Sequence, residues 1–227
     1  GGGGGHRSQV FPGNTVHQGG AVVIAIIDYG VGNLFSLKSS FSAIGADTVV
    51  TGDPAVIRGA EKLVLPGVGA FGDAAALLRR NGLDKLVKEE ASGGKPLLGI
   101  CLGMQLLFDY SLEYGRHEGL GLIPGSVRPI GDYIPQGYKI PHIGWNALRF
   151  PAGKPVSPLF RHIREGDCVY FVHSFCGAEC SESVIASAEY GADLTAAAAR
   201  ENVFGVQFHP EKSGDVGLNI LRAFCEL

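Results

Sequence analysis

A chain of 227 residues, 18% of them charged and with a formal net charge of -3, does not predict a surface that binds nucleic acid or an anionic membrane. Five cysteines without a Cys-x-x-Cys pair or a histidine cluster predict neither a metal site nor a disulfide framework. No secretory signal is evident, and the apolar run at 21–27 is too short to cross a bilayer, so we expect a cytoplasmic protein with reduced thiols.

Residues 1–20 differ in composition from the rest of the chain. They begin with a run of glycines and contain too few apolar residues to bury a core. A phosphate-binding loop is the alternative, but no strand precedes these glycines and the Lys-Ser/Thr pair of a P-loop is absent. We predict a flexible glycine-rich extension over 1–20, of native or cloning origin, followed by one domain over 21–227.

Strand-like and helix-like segments alternate through the first half of that domain. Short β-branched runs predict strands, and apolar residues at helical spacing predict helices. The predicted strands are 22–27, 48–51, 62–65 and 95–100, and the predicted helices are 34–44, 73–78 and 83–90. This alternation is typical of an α/β fold with a doubly wound, mostly parallel sheet and flanking helices.

The second half is richer in glycine, proline and strand-like runs, which predict an additional antiparallel strand region. The predicted strands are 126–130, 145–150, 168–175, 184–190, 194–200 and 203–208. Local propensity favours a helix for the alanine-rich 195–199, but its position between two strand-like segments favours a strand. A last helix is predicted after Ser213, a candidate N-cap.

Cys101 stands where an apolar strand meets a helix, in Gly99-Ile100-Cys101-Leu102-Gly103. Small residues on both sides allow the sharp turn of a nucleophile elbow. The N-terminus of the following helix favours the thiolate, which is the reactive form of cysteine. The alternative for any one cysteine is a small buried hydrophobe.

A base for this cysteine is predicted after the last strand. His209 follows 203–208, and strand ends are where open α/β sheets build their sites. In extended chain Glu211 shares the face of His209 and can reach its far ring nitrogen. The alternative is a surface histidine beside a solvated glutamate. Together with the elbow, a Cys-His-Glu triad is favoured.

The stretch Pro66-Gly67-Val68-Gly69 ends the third predicted strand. Its glycines are compatible with a plain tight turn. They can also present backbone N–H groups which, with that of Leu102, would hold a tetrahedral oxyanion. One such donor contributes about 3 kcal/mol to transition-state stabilisation.

These residues resemble the triad glutamine amidotransferases, whose elbow and His-Pro-Glu motif match Gly99 to Gln105 and His209-Pro210-Glu211. Four further stretches resemble, within that family, the glutaminase subunits of imidazole glycerol phosphate synthase: Asp28-Tyr29-Gly30-Val31-Gly32-Asn33, Pro66-Gly67-Val68-Gly69-Ala70-Phe71, Pro141-His142-Ile143-Gly144-Trp145-Asn146 and Phe208-His209-Pro210-Glu211-Lys212-Ser213. The resemblance covers 22–227 and implies a flavodoxin-like fold and no cofactor.

The resemblance also implies a reaction. Cys101 attacks the carboxamide carbon of glutamine, His209 acts as general base and Glu211 orients it, and the products are glutamate and ammonia. The oxyanion would be held by backbone N–H groups of Val68, Gly69 and Leu102, after a peptide flip. The implied glutamine-binding residues are Gly67, Gln105, Glu113, Ser174 and Phe175; the residues alone favour solvated side chains for Gln105 and Glu113.

The resemblance implies a partner as well, a (β/α)8-barrel cyclase with which the chain forms a heterodimer. The cyclase uses ammonia to make imidazole glycerol phosphate and an aminoimidazole carboxamide ribotide (AICAR) in histidine biosynthesis. The implied interface residues are His142, Trp145, Asn146 and Lys212. For Trp145 the residues alone favour a core aromatic, although aromatic anchors are frequent in interfaces.

Three other functions stay open at this point. The chain could be the glutaminase of anthranilate, guanylate or pyridoxal phosphate synthesis, which product analysis with the cyclase would separate. It could be a non-catalytic binding subunit, which the intact Cys101, His209 and Glu211 disfavour. It could be a free-standing cysteine hydrolase, which substantial activity without a partner would favour.

Overall fold

The computed structural model describes residues 23–227, so the predicted extension over 1–20 and the first residue of the predicted strand 22–27 lie outside the described residues. The strands are β1 (Val23–Ile27), β2 (Asp47–Thr51), β3 (Lys62–Leu65), β4 (Leu97–Ile100), β5 (Tyr110–Ser111), β6 (His117–Glu118), β7 (Ser126–Pro129), β8 (His142–Ala147), β9 (Cys168–His173), β10 (Phe175–Ala178), β11 (Val184–Glu189), β12 (Asp193–Arg200) and β13 (Val203–Val206). The α-helices are α1 (Leu34–Ala43), α2 (Pro54–Gly59), α3 (Phe71–Arg80), α4 (Leu83–Ser92), α5 (Leu102–Leu106) and α6 (Gly214–Cys225).

A seven-stranded sheet forms the centre of the fold, in the order β11-β12-β13-β4-β3-β1-β2. The five strands from β13 to β2 are parallel, and β12 and β11 extend the sheet antiparallel. The predicted doubly wound, mostly parallel sheet is confirmed. Because β4 lies between β3 and β13, the segments that follow these three strands meet at one edge of the sheet.

The parallel strands are buried on both faces, which explains their continuous apolar runs. In β1, Ile24 and Ile26 pack with α1 and α6, whereas Ala25 and Ile27 pack with α3 and α4 on the other face. Since successive side chains point to opposite faces, each strand contributes to both layers of the core.

An antiparallel region lies beside this sheet, as predicted, but its strands differ from the prediction in detail. The predicted strand 168–175 breaks at Ser174: β9 pairs with β8, and β10 pairs with β7 in a four-stranded sheet of order β10-β7-β5-β6. One straight strand cannot belong to both pairs. At the break the His173 side chain, at the end of β9, contacts the start of β10: its Nδ1 lies 2.8 Å from the Phe175 carbonyl oxygen.

The predicted strand 145–150 begins three residues too late, because it follows apolar content rather than pairing. All of β8 pairs with β9, from His142 opposite His173 to Ala147 opposite Cys168. Arg149 makes only an isolated bridge to Ser187. The apolar Ile143 and Trp145 lie on the exposed face of this strand.

Three short elements were not predicted: the two-residue strands β5 and β6, and α2. The start of α2 had a sequence signal, since Asp53 accepts a hydrogen bond from the Ala55 N–H at 3.0 Å and Pro54 occupies the first turn. With only six residues, the helix is too short for apolar periodicity to distinguish it from a turn.

Two local predictions concern the last third of the chain. The alanine-rich β12 is a strand, paired on both sides by β11 and β13, so tertiary context overrides its helix propensity. Ser213 occupies the predicted N-cap position of α6, but its side chain makes no capping hydrogen bond. Its hydroxyl donates to the His209 carbonyl at 2.6 Å and accepts from the Tyr170 N–H at 3.0 Å. None of the helices within 23–227 is long and apolar enough to cross a membrane.

Candidate active site

Cys101 occupies the apex between β4 and α5 with a left-handed backbone, φ 56° and ψ -115°. Such a conformation in a non-glycine residue costs about 1–3 kcal/mol, so the surroundings must impose it. They do so by close packing: a Cβ on Gly103 would lie 1.8 Å from the Leu65 carbonyl oxygen, and one on Gly99 would lie 2.7 Å from the Gly103 carbonyl oxygen. Both glycines are therefore required by the close approach of α5 to the sheet.

His209 and Glu211 lie together beside this apex. His209 Nδ1 is 2.7 Å from Glu211 Oε1, and both side chains are about 95% buried, at 5% exposed each. The chain from Pro210 to Lys212 is a 3-10 turn rather than the extended segment expected, while His209 itself is extended. The Ser213 hydroxyl and the Tyr170 carbonyl bond the His209 backbone and fix the position of the imidazole.

Cys101 and Glu211 control the charge of His209. Burial alone would lower the pKa of His209, but hydrogen bonds to Cys101 and Glu211 and the negative charges of these groups raise it to about 9. The imidazolium is thus favoured when Cys101 bears a negative charge, which is the state reached once the thiol proton has passed to His209. In this arrangement His209 can accept the proton of the thiol, and Glu211 stabilises the resulting cation.

The backbone N–H of Leu102, a predicted oxyanion donor, is not free. It donates to the Gly67 carbonyl oxygen at 3.2 Å. The Pro66 carbonyl accepts from the Tyr29 hydroxyl at 2.7 Å, and burial of that hydroxyl raises the pKa of Tyr29. Since the carbonyl and the N–H of a trans peptide point in opposite directions, the Gly67–Val68 peptide turns its N–H away from Leu102.

A cavity of about 400 Å³ opens at this edge of the sheet and contains the sulfur and the imidazole. Of the eight residues predicted to hold the oxyanion or to bind glutamine, seven line the cavity: Val68, Gly69, Leu102, Gln105, Glu113, Ser174 and Phe175. Gly67 does not. It lies beneath the wall, where a Cβ would be 2.7 Å from the Tyr29 hydroxyl oxygen. The cavity also includes Tyr114, Pro141, Val172 and His173, which the sequence did not suggest.

Gln207 is a further residue that sequence reasoning missed. It is fully buried, and its Nε2 lies 3.9 Å from Cys101 Sγ. Its Oε1 accepts from Gln105 Nε2 at 3.1 Å, and Gln105 Nε2 also lies 3.3 Å from the Phe175 carbonyl oxygen. A polar amide inside an otherwise apolar strand was the available signal, because a buried amide needs partners.

Glu113 reaches the cavity as a nearly buried carboxyl group, 7% exposed. Its backbone N–H donates to the Ser111 hydroxyl at 3.1 Å. Burial raises the pKa of Glu113, which the Phe71 backbone hydrogen bond opposes. A buried carboxylate gains most from a cation, so this wall of the cavity is suited to an ammonium group.

The four predicted interface residues fall into two groups. Trp145 is 56% exposed, with its ring 5.8 Å from that of Tyr170, and Lys212 is exposed. His142, in contrast, is buried, and with the half-buried Asn146 it lies on the opposite face of β8 from Trp145. The core position expected from Trp145 alone is wrong, and His142 is not part of the exposed face.

The family described as "Glutamine amidotransferase class-I" matches residues 25–226. The imidazole glycerol phosphate synthase subunit HisH of Wolinella succinogenes is 47% identical over 207 residues, covering 90% of this chain and all (100%) of that protein. The protein of the same name from Moorella thermoacetica is 49% identical over 205 residues, covering 90% of this chain and 94% of its own length.

Solved structures agree on the fold. A crystal structure of a glutamine amidotransferase superposes with a TM-score of 0.69 at 20% identity, covering 91% of this chain and 98% of its own. The PurLQS structure from Thermotoga maritima gives 0.71 at 19% identity, with the same coverage of 91% and 98%. At these identities the similarity concerns architecture alone.

Proposed function

The chain belongs to the class I glutamine amidotransferases and, within them, to the imidazole glycerol phosphate synthase HisH subunits, and from this premise we propose that it hydrolyses L-glutamine to glutamate and ammonia in histidine biosynthesis. One observation carries the proposal: Cys101 stands at a strained elbow within a cavity of about 400 Å³, beside a buried His209–Glu211 pair. We also propose that residues 21–227 form a single domain.

The triad serves both stages of the reaction, formation of a thioester and its hydrolysis. Cys101 transfers its proton to His209, and the thiolate attacks the carboxamide carbon of glutamine, so that the C–S bond forms and the carbonyl oxygen becomes an oxyanion. The His209 cation then protonates the leaving nitrogen, and ammonia departs as the C–N bond breaks. Glu211 keeps Nδ1 protonated and leaves Nε2 for these transfers. Water then attacks the thioester with His209 as base, releasing glutamate and the thiol.

The oxyanion requires a rearrangement. In the structure the Leu102 N–H donates a hydrogen bond to the Gly67 carbonyl oxygen and is therefore not free to bind an oxyanion. Rotating the Gly67–Val68 peptide by half a turn removes this carbonyl and brings the Val68 N–H to the same side as that of Leu102. The Gly69 φ of 97° and the 46% exposed Val68 side chain support such mobility. The resting site is therefore incomplete, and glutamine or a partner completes it.

Glutamine recognition follows from the walls of the cavity. Glu113 binds the α-ammonium group, because it is the nearly buried carboxylate there. Gln105, held by Gln207 and Phe175, faces the amino-acid end of the substrate. Ser174 and Phe175 contribute backbone contacts, and Gly67 acts through the packing beneath the wall.

Ammonia has value only if it is captured before it is protonated and diluted, so we propose a cyclase partner seated over the cavity mouth in a cytoplasmic heterodimer. Three large apolar residues on either side of Pro141, which lines the cavity, support it: Ile140 is 51% exposed, Ile143 59% and Trp145 56%. Such a cluster is typical of an interface. Lys212 is exposed as well, whereas Asn146 and His142 support β8 from its opposite face.

A steady-state glutaminase assay with and without the cyclase and its ribotide ligand tests the function. We expect a large rise in glutamine hydrolysis only in the loaded complex, together with formation of imidazole glycerol phosphate and AICAR. High activity of the isolated chain would favour a free-standing hydrolase, and absence of hydrolysis in the loaded complex would favour a binding subunit. Either result overturns the proposal.

A further inference from the structure

Two buried histidines of the β8–β9 pair have no part in the reaction described above. His142 is 2% exposed and His173 6% exposed, and His142 Nδ1 lies 2.9 Å from His173 Nε2. His173 lines the cavity, whereas His142 belongs to the strand that carries Trp145. The two rings thus connect the glutamine cavity with the buried face of β8, the strand whose other face exposes Trp145.

Each histidine of the pair has one ring nitrogen that faces away from the other ring. These two outer nitrogens both face hydrogen-bond acceptors. His173 Nδ1 lies 2.8 Å from the Phe175 carbonyl oxygen, and His142 Nε2 lies 2.7 Å from Asn146 Oδ1. The Asn146 amide cannot be turned over, because its nitrogen donates to the Glu189 carbonyl at 2.9 Å. Each outer nitrogen must therefore carry a hydrogen for its contact to be a hydrogen bond.

The three contacts need one proton more than two neutral imidazoles hold. A third proton would satisfy all of them and leave one positive charge shared by the rings. Burial opposes that charge: it lowers the pKa of His142, and with the charges of His142 and His209 it lowers the pKa of His173 to about 4. Near neutral pH the pair holds two protons. Placing both on the outer nitrogens would leave two lone pairs facing each other across the 2.9 Å between His142 Nδ1 and His173 Nε2, so the arrangements that keep the inner hydrogen bond release one outer contact.

The two neutral arrangements that keep the inner hydrogen bond release opposite ends. With its hydrogen on Nδ1, His173 holds the Phe175 carbonyl, and His142 turns a lone pair toward Asn146. In the other arrangement the hydrogens are on Nε2 of both rings. His142 then donates to Asn146, and His173 turns the lone pair of Nδ1 toward the Phe175 carbonyl. That carbonyl lies 3.3 Å from Gln105 Nε2 as well, so the second arrangement disturbs the wall that binds glutamine.

We propose that His142 and His173 form a positioning pair with two tautomeric arrangements. Which arrangement the pair adopts depends on whether Asn146 of β8 accepts a hydrogen bond from His142, and the arrangement sets the positions of the Phe175 carbonyl and of Gln105. The inference rests on the proposed function of the cavity. A partner that draws Asn146 away from His142 favours the arrangement that holds Phe175, and bound glutamine favours the same arrangement from the cavity side. The coupling is reciprocal, and it works through a discrete element that both sites bias.

Charged and titratable groups from two neighbouring elements lie around the pair. His209, after β13, opposes protonation of His173 through its charge. Tyr190, after β11, stacks on the His142 ring with centroids 4.0 Å apart. The Glu189 carboxylate, at the end of β11, bonds a backbone N–H of its own turn. Titration of His209 is therefore the process that an experiment must separate from that of the pair.

Ring nitrogen-15 chemical shifts of the full chain test the pair directly, because each histidine is assigned separately. We expect His142 and His173 to exchange between tautomers near neutral pH, and the pair to take up one proton on acidification. Glutamine added to the Cys101→Ser chain should move His173 toward the Nδ1-protonated tautomer. A single fixed tautomer with and without glutamine, or independent uptake of two protons, overturns the proposal.

Two substitutions of Asn146 separate positioning from plain structural support. Asn146→Leu removes the acceptor, so His173 should keep its hydrogen on Nδ1 at every pH. Asn146→Asp places a negative charge there and should raise the apparent pKa of the pair by about 1 or more. Both variants lose the hydrogen bond to the Glu189 carbonyl. If Asn146 has only a structural role, the two variants should therefore change the tautomers and the apparent pKa equally, and that result would contradict the proposal. The exposed His162, bonded to Glu226, supplies a control in His162→Gln, which should alter neither tautomer.

The assembled complex gives the functional readout. The KM for glutamine should depend on pH in the wild type, lose that dependence in Asn146→Leu and shift its midpoint to higher pH in Asn146→Asp. If the wild-type complex hydrolyses no glutamine, the proposed function fails, whereas the ring shifts of the isolated chain still decide whether the pair exists. A KM profile unchanged in both variants shows that the pair does not act on the cavity.

Discussion

The elbow at the end of β4 and the β8–β9 pair border the same cavity, yet they are held in different ways. The elbow lies between two parallel strands, and its glycines leave no room for a side chain. The β8–β9 pair has two strands only, exposes Ile143 and Trp145 on one face, and depends on side-chain hydrogen bonds on the other. The proposed nucleophile is thus rigid, while the parts that complete the site around it can adjust.

The largest expected effect, on kcat, tests whether Cys101 in the rigid elbow carries out the proposed chemistry. Cys101→Ser should lower kcat for glutamine hydrolysis in the loaded complex by a factor on the order of 10⁶, because the triad acts as a unit. Cys168→Ser changes an exposed cysteine and should leave kcat unchanged. Measurable hydrolysis by Cys101→Ser would remove the elbow from the mechanism.

Rigidity of the elbow can be tested by stability. Gly103→Ala should lower the free energy of unfolding by about 3 kcal/mol, because the new Cβ would meet the Leu65 carbonyl oxygen and overpack the site. Gly59→Ala is the matched control, since no atom lies within 4 Å of its Cβ position. It should be neutral or stabilising in urea unfolding. Similar losses in the two variants would contradict the role given to close packing.

The same contrast explains which parts could be predicted from sequence. Cys101, His209 and Glu211 were foreseen because short motifs set their local geometry and parallel strands bring their ends together. The strand β8 was shifted by three residues because its partner, β9, decides its extent and its apolar residues face outward. The blocked Leu102 N–H depends on the orientation of one peptide plane, and no residue type encodes that orientation.

Long-range polar contacts escaped sequence reasoning for a related reason. His142 and His173 are 31 residues apart and meet only through the pairing of β8 with β9. Gln207 meets Gln105 across two neighbouring strand ends. Each is an ordinary polar residue in the sequence, and its partner exists only after the sheet has formed.

Burial of the triad predicts a dependence of stability on pH. The pKa of His209 is about 9 in the folded chain and 6.5 as its ordinary value, so the folded state binds the proton more tightly. This contribution is fully present below pH 6.5 and is lost as pH rises through about 9, which should lower the free energy of unfolding by about 3 kcal/mol. His209→Gln should remove that slope, whereas His162→Gln should retain it. A wild-type stability that is flat over this range would contradict the ion pair.

The smallest expected effect concerns the adjustable element. Trp145→Ala should weaken cyclase binding by about tenfold or more, because exposed aromatic residues often act as anchors. It should also reduce ammonia transfer, while the free energy of unfolding stays within about 0.5 kcal/mol, as for other surface positions. Phe35→Ala, an 83% exposed aromatic on α1, is the matched control and should change neither quantity. Equal affinities of the two variants would separate β8 from the partner, and a strongly destabilised Trp145→Ala chain would show that this face supports the fold.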